Sequence, residues 1–168
     1  HGRLHQSEFT MLEWYQKGWG YEDLMRQCEE LFAALLRQCL DLPGVLDAGT
    51  IGWRGVSLSL APPWDRLTVA EAFWRYTGVD FDVALRTDQF DELLVTAIEP
   101  HLGLERPVFL YDYPVERGSL ARRSQNNPQV AERFELYVAG VELANGFSEL
   151  VEPEEQRIRF EEEIRLIR

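Results

Sequence analysis

The sequence predicts an α+β domain, an antiparallel β-sheet flanked by helices, and three observations carry that expectation. Short alternating or β-branched runs read as strands: VSLSLAP (56–62), PVFLYDYP (107–114), ERFELYVAG (132–140) and VELANGFSEL (141–150). Stretches with helical spacing lie between them. The last two strands follow one another directly, and short neighbouring strands of that kind pair antiparallel. With 168 residues, 45% of them apolar, and five tryptophans, the chain is large enough for one domain, 1–168, with its own core. It holds no internal repeat, low-complexity tract or linker.

Glu8 to Tyr15, EFTMLEWY, alternates as a strand with Phe9, Met11, Glu13 and Tyr15 on one face and Thr10, Leu12 and Trp14 on the other. KGWG is a turn. YEDLMRQCEELFAALLRQCLDL (21–42) places Leu24, Cys28, Leu31, Phe32, Leu35, Leu36 and Cys39 on one helical face, and Pro43-Gly44 ends it. Thr68 opens TVAEAFWRY with a Thr-x-x-Glu capping pattern. Asp82 to Leu102 holds a further helix around FDELLVTAIEPHL, disturbed at Pro100. VERGSLARRSQNNPQ (115–129) reads as a loop, with Arg122-Arg123 as a solvated basic spot. Pro153 suits the first turn of a terminal helix.

Charge and composition narrow the function. The net charge of −12, from 17 basic and 29 acidic side chains, counts against dedicated RNA or DNA binding by this segment. It leaves a basic protein surface or a cationic small molecule. No apolar run of about 18 residues exists, so no membrane span is expected, and no leader pattern is visible. Cys28 and Cys39 lie about three helical turns apart, roughly 16 Å, too far for a disulfide. They are expected to be reduced core thiols of a cytoplasmic protein. The chain opens at His1 rather than Met and stops inside a charged helical run, as expected of a portion of a longer protein.

Glutamates recur every seven residues at 135, 142 and 149. On a helix they would form a solvated stripe. Gly140 and Asn145-Gly146 oppose that, since each interior glycine costs a helix about 1 kcal/mol. The intervening Tyr137, Val138 and Val141 favour strands. On a strand, Glu135 and Tyr137 share a face, and Gly140 allows a turn or bulge before Glu142. Irregularity at Asn145-Gly146 brings Glu149 round to the face of Glu142. Carboxylates set among apolar neighbours need a cation or donors. Mg²⁺ takes one or two carboxylates together with phosphate oxygens, and an ammonium group pairs with another. Spacing by itself leaves a solvated face and a functional site both open.

Two stretches resemble a known family. LHQSEFTMLEWY (4–15) resembles the latter half of motif 2 of the class II aminoacyl-tRNA synthetases in its lysyl form. ERFELYVAGVELANGFSEL (132–150) resembles the lysyl-type segment that carries metal and substrate glutamates. WDRLTVAEAFWRYTGVD, FLYDYPVERGSLARR and QVAERFE are most similar to the lysyl-tRNA synthetase paralogues that act on elongation factor P. The resemblance covers nearly the whole chain and implies a partial class II catalytic core using ATP and Mg²⁺. It implies activation of lysine or (R)-β-lysine as an adenylate and transfer to a lysine of elongation factor P. A lysyl-tRNA synthetase core and a non-catalytic binding module are the alternatives.

Residue by residue, the resemblance places His5, Gln6, Glu8, Phe9, Glu142, Leu143 and Asn145 at ATP, with Phe9 stacked on adenine. It places Glu13, Tyr15 and Glu149 on the amino groups of the amino acid, and Glu135 and Glu142 on Mg²⁺. No acid, base or nucleophile is required, so the histidines and cysteines receive no catalytic role. Motif 1, which builds the family's dimer interface, the Arg-x-Glu that opens motif 2, and motif 3 with its arginine are absent from these residues. Arg3 falls in the motif 2 loop, and the resemblance gives no ground for assigning it the role of either arginine. The complete protein is therefore expected to be a homodimer, and this segment alone to be weak or inactive.

Overall fold

The computed structural model describes residues 8–166. Helix α1 spans Tyr21–Gln38 and ends one turn earlier than its apolar pattern suggests, with the Cys39 N–H bonded to the Leu36 carbonyl. Its first turn is capped by Asp23, whose carboxylate accepts the Gly20 N–H at 3.0 Å. Three short strands follow, β1 (Val45–Asp47), β2 (Thr50–Trp53) and β3 (Val56–Ser59), as an antiparallel meander. The first two are too short to display an alternation, and the third is shorter than the 56–62 run from which it is expected.

Strand β4 (Asp65–Thr68) leads directly into α2 (Val69–Thr77). The capping pattern is realised there. Thr68 Oγ1 accepts the Glu71 N–H at 3.1 Å, and Glu71 Oε2 accepts the Thr68 N–H at 2.9 Å. The single helix expected over 82–102 is instead divided. α3 (Phe81–Arg86) and α4 (Phe90–Leu93) are separated at Asp88, which has a positive φ of 55°. α4 runs on as a π turn, Leu94–Ile98, and a 3₁₀ turn, Glu99–His101, containing Pro100. Then come β5 (Val108–Pro114), β6 (Val130–Val138), β7 (Val141–Phe147) and α5 (Pro153–Leu166).

The main sheet has the order β4-β5-β6-β7. Its β5–β6 and β6–β7 pairs are antiparallel, as expected, but β4 and β5 are parallel. The chain passes from β4 through α2, α3 and α4 before β5, and such a crossover returns it in the same direction. One face is covered by α1, where Met25 and Cys28 pack on Trp64, Phe109, Phe134 and Leu136. The other carries Phe73, Phe90, Leu94 and Ile98 against Leu67, Val108, Leu110, Tyr113 and Tyr137. A third cluster, Leu36, Leu58, Leu60 and Val138, joins the meander to the end of α1.

The expected strand Glu8–Tyr15 does not form. Residues 9–16 carry no ladder pairing and are exposed, Phe9 at 74% and Tyr15 at 85%. Trp14 tethers the segment by donating its indole N–H to Gln27 of α1 at 2.6 Å. An alternating pattern becomes a strand only when a neighbouring edge supplies the hydrogen bonds. No helix among the described residues is long and apolar enough to cross a membrane.

Candidate active site

Strand β6 alternates cleanly. Phe134 and Leu136 point to α1, so Arg133, Glu135 and Tyr137 share the opposite face. Across the ladder Glu135 pairs with Asn145 and Leu136 with Ala144, but Tyr137 pairs with Glu142. Leu143 is the extra residue of a β-bulge. Glu142 and Asn145, three apart, would face opposite ways on a regular strand; the bulge puts both on the face of Glu135. The hairpin turn is Ala139-Gly140, with positive φ at both residues, 53° and 73°, the conformation that suits a two-residue loop to strand twist. It is anchored by N–H bonds from Ala139 to the Gly103 carbonyl and from Gly140 to the Leu102 carbonyl. Gly146 lies under the Phe134 ring, where a Cβ would come within 2.5 Å.

Because α2 packs on β4 and β5, and α1 on the far side of β6 and β7, this face stays open along β7, whereas on β6 Tyr137 is buried with Phe73, Phe90 and Ile98. Glu142, Leu143 and Asn145 are exposed on it. Glu135 is not: it is 7% exposed and accepts three hydrogen bonds. Its Oε2 accepts the hydroxyls of Tyr113 at 2.6 Å and Tyr137 at 2.7 Å, and its Oε1 accepts Arg133 Nη2 at 2.6 Å. The Arg133 guanidinium also lies 4.6 Å from the centre of the Tyr113 ring and donates to the Arg117 carbonyl at 2.5 Å and to Asn145 Oδ1 at 3.4 Å.

Burial first, and the Glu135 charge second, hold both phenols protonated well above the usual tyrosine range. Although the residue keeps an exposed edge, the Glu142 carboxyl is pushed up to about 7, chiefly by partial loss of water around it. The Glu135 charge adds to the rise, Arg133 opposes it, and Glu99 contributes a smaller increment. Glu99 reaches the same cluster through Tyr137, whose hydroxyl is 3.3 Å from Glu99 Oε1.

Beyond Phe147 the Ser148 N–H still bonds the Glu132 carbonyl at 2.9 Å, but residues 120–123 take over the remaining partners. Arg122 N–H bonds the Ser148 carbonyl, and its own carbonyl accepts the Glu132 N–H. The expected loop thus carries bridges, Ala121 to Glu149 and Arg123 to Ala131. Arg122 is not simply solvated but pairs with Glu132. Ser148 Oγ accepts the Tyr21 N–H on the α1 side. Alternation therefore places exposed Glu149 on the side of Phe147 and Glu135.

Of the residues singled out in the sequence, Glu135, Glu142 and Asn145 are brought onto one face of a sheet rather than a helix. Leu143 forms the bulge beside them, and Glu149 continues the same edge. Glu8, Phe9, Glu13 and Tyr15 sit on the exposed N-terminal segment. Among the described residues, no hydrogen bond or ion pair joins these four to the face. His5 and Gln6 lie outside the described residues. Arg133, Tyr113 and Glu99 were not anticipated. The spacing of Arg133, Glu135 and Tyr137 announced a shared face, but Tyr113 and Glu99 arrive from β5 and the 3₁₀ turn, with no local signal.

Two carboxylates and an amide oxygen form a donor set that suits Mg²⁺. Among the described residues, no group of three or more His, Cys, Asp or Glu side chains is arranged to hold a metal by itself. Phosphate oxygens and water complete such a shell in nucleotide sites.

A sequence model of the class II tRNA synthetases (D, K and N) matches residues 1–166. The chain belongs to this family. Among its relatives, an elongation factor P–(R)-beta-lysine ligase of Proteus mirabilis is 37% identical over 186 residues, covering 98% of this chain and 50% of the relative. The ligase of the same name from Pectobacterium carotovorum is 39% identical over 173 residues, with 98% and 50% covered. A lysine–tRNA ligase of Moorella thermoacetica is 39% identical over 178 residues, covering 94% of this chain and 35% of the relative. The chain thus spans half of the first two proteins and about a third of the last. Within the family, similarity extends equally to the two lysine-handling kinds of ligase.

Proposed function

We propose that the chain forms part of an ATP-dependent ligase that activates lysine or (R)-β-lysine and transfers it to a lysine of elongation factor P. The observation that carries this reading is the Leu143 bulge, which sets Glu142 and Asn145 beside Glu135 on one sheet face, open along β7. In the reaction, a carboxylate oxygen of the amino acid bonds to the α-phosphorus of ATP and pyrophosphate leaves. The acceptor amine then takes the acyl group and AMP leaves. Mg²⁺, when bound, supplies the positive charge that offsets the phosphates.

In this reading Glu135 and Glu142 hold the cation, and Leu143 and Asn145 lie beside the nucleotide. Glu149 receives the side-chain amine through a charge-assisted hydrogen bond. Phe9 stacks on the base, His5, Gln6 and Glu8 contact ATP, and Glu13 and Tyr15 take the remaining ammonium. Glu8, Phe9, Glu13 and Tyr15 reach the face only when the 8–16 segment lies against it. The catalytic gain is one of positioning and electrostatics, without a protein nucleophile.

The net charge of −12 favours a protein acceptor over tRNA. The relatives that are lysine–tRNA ligases support the second reading, a tRNA-charging core. The deciding experiment offers the full-length protein ATP, Mg²⁺ and labelled lysine or (R)-β-lysine, with elongation factor P and tRNA present together. Label on elongation factor P is expected. Label on tRNA replaces this reading with the second, and label on neither favours a non-catalytic module.

A further inference from the structure

We propose that Tyr113, Tyr137 and Arg133 are positioning residues that lock the Glu135 carboxylate so that one lone-pair site remains for a bound cation. The inference rests on the ATP–Mg²⁺ reading of the β6–β7 face and adds to it three residues with no assigned role.

The geometry is specific. A carboxylate offers about four lone-pair sites. Both tyrosine hydroxyls donate to Oε2, at 2.6 and 2.7 Å, and fill it; Arg133 Nη2 occupies one site of Oε1 at 2.6 Å. Among the described residues no further side chain donates to Glu135, and one site, on Oε1, is left. The donors come from two strands, Tyr113 from β5 and Tyr137 and Arg133 from β6, so the carboxylate is held from both sides. The clamp is itself rigid. Tyr113 and Tyr137 are 2% and 1% exposed. Arg133 is fixed by the Tyr113 ring and the Arg117 carbonyl.

Two buried phenols need an acceptor in any case, but stability gives little reason for that acceptor to be a charged carboxylate. A buried charged group seldom outperforms an apolar side chain of similar size, and the cross-strand neighbour of Glu135 is the fully buried Leu110. Saturating one oxygen also limits Glu135 to a single-oxygen contact. Mg²⁺ demands a fixed octahedral geometry and is poorly served by a mobile carboxylate. Groups that orient a metal ligand from behind typically govern affinity by 10- to 100-fold.

The competing explanation is that Glu135 merely satisfies two buried phenols. The full-length protein and its Tyr113→Phe, Tyr137→Phe, double Tyr→Phe, Glu135→Gln and Glu142→Gln variants separate the two. Mn²⁺ binding in the presence of a non-hydrolysable ATP analogue is read by water-proton relaxation, and lysine binding by calorimetry. Positioning predicts that the double variant binds Mn²⁺ at least about tenfold more weakly while its lysine affinity is unchanged. Each single variant should show a smaller loss, which keeps the test available if the double variant does not fold. Unchanged Mn²⁺ affinity in the Tyr→Phe variants, with Glu135→Gln weakened, overturns the positioning role and leaves the metal reading intact. Unchanged affinity in both glutamate variants overturns the metal reading and this inference with it.

Discussion

Tyr137 and Glu142 stand directly opposite each other across β6 and β7, one residue out of step with the pairing of Glu135 and Asn145. The offset is absorbed at Leu143. It converts two residues that regular alternation would separate into neighbours on one face. The placing of Glu142 and Asn145 together beside Glu135 depends on that single inserted residue.

The division of labour between the glutamates is open to test in the full-length protein. Glu142→Gln is expected to weaken Mg–ATP binding by at least about tenfold. Glu149→Gln should instead weaken lysine binding, by the roughly 1.5–3 kcal/mol typical of a hydrogen bond to a charged group, and leave ATP nearly untouched. Isothermal titration with each ligand reads both. Equal losses for both ligands in Glu149→Gln would remove its assigned role.

The crowding of Glu142 has a consequence for stability. Its carboxyl titrates near 7 in the fold, against 4.5 for a free glutamate. Between those values the folded form keeps a proton that the unfolded chain releases. Its contribution is therefore complete below the unfolded value and is lost as pH rises through 7. The ligand-free protein should show a lower Tm at pH about 8 than at about 5, and Glu142→Gln should flatten this difference. An identical pH slope in the variant contradicts the shift.

The turn that anchors the β6–β7 hairpin tolerates no side chain. Gly103 has φ +69°, and a Cβ there would lie 2.4 Å from the Tyr137 carbonyl oxygen. The obstacle is backbone and cannot swing aside. Gly103→Ala should destabilise by more than about 2 kcal/mol, read as a shifted urea midpoint. A neutral substitution would mean that the strand and the turn are not held this closely.

Cys28 is expected to be chemically quiet. Burial raises its thiol to about 11, with the neighbouring Glu29 charge adding to the rise. Only the thiolate reacts, so alkylation by iodoacetamide at pH about 8 should be slower than for a free thiol by a factor on the order of 10². Mass spectrometry of a timed labelling series checks this, and rapid modification of Cys28 would refute its placement in the α1 layer.

Much of the architecture was legible in the sequence because its signals are local. The Thr68 capping box, helix α1, strands β5 to β7 and the terminal helix all follow from neighbouring residues, although on α1 Leu35 is exposed and Met25 and Glu29 are buried, against the expected face. So does the choice of sheet over helix for Glu135 and Glu142, since glycines and Asn145 exclude a long helix. β1, β2 and β4 escaped notice because three- or four-residue strands carry too little pattern. The helix over 82–102 divided because Asp88 takes a positive φ that periodicity does not register.

The sequence by itself determined the class of the fold, the family, and the identity of the carboxylates on the β6–β7 hairpin. These depend on residue type and spacing along the chain. Tertiary structure alone decided that Leu143 bulges, that β4 runs parallel to β5, and that residues 8–16 carry no ladder pairing. It also brought Tyr113 from β5 and Glu99 from the 3₁₀ turn to the Glu135 cluster. A carboxylate's working state depends on the donors and charges that surround it in space, and those come from parts of the chain far apart in sequence.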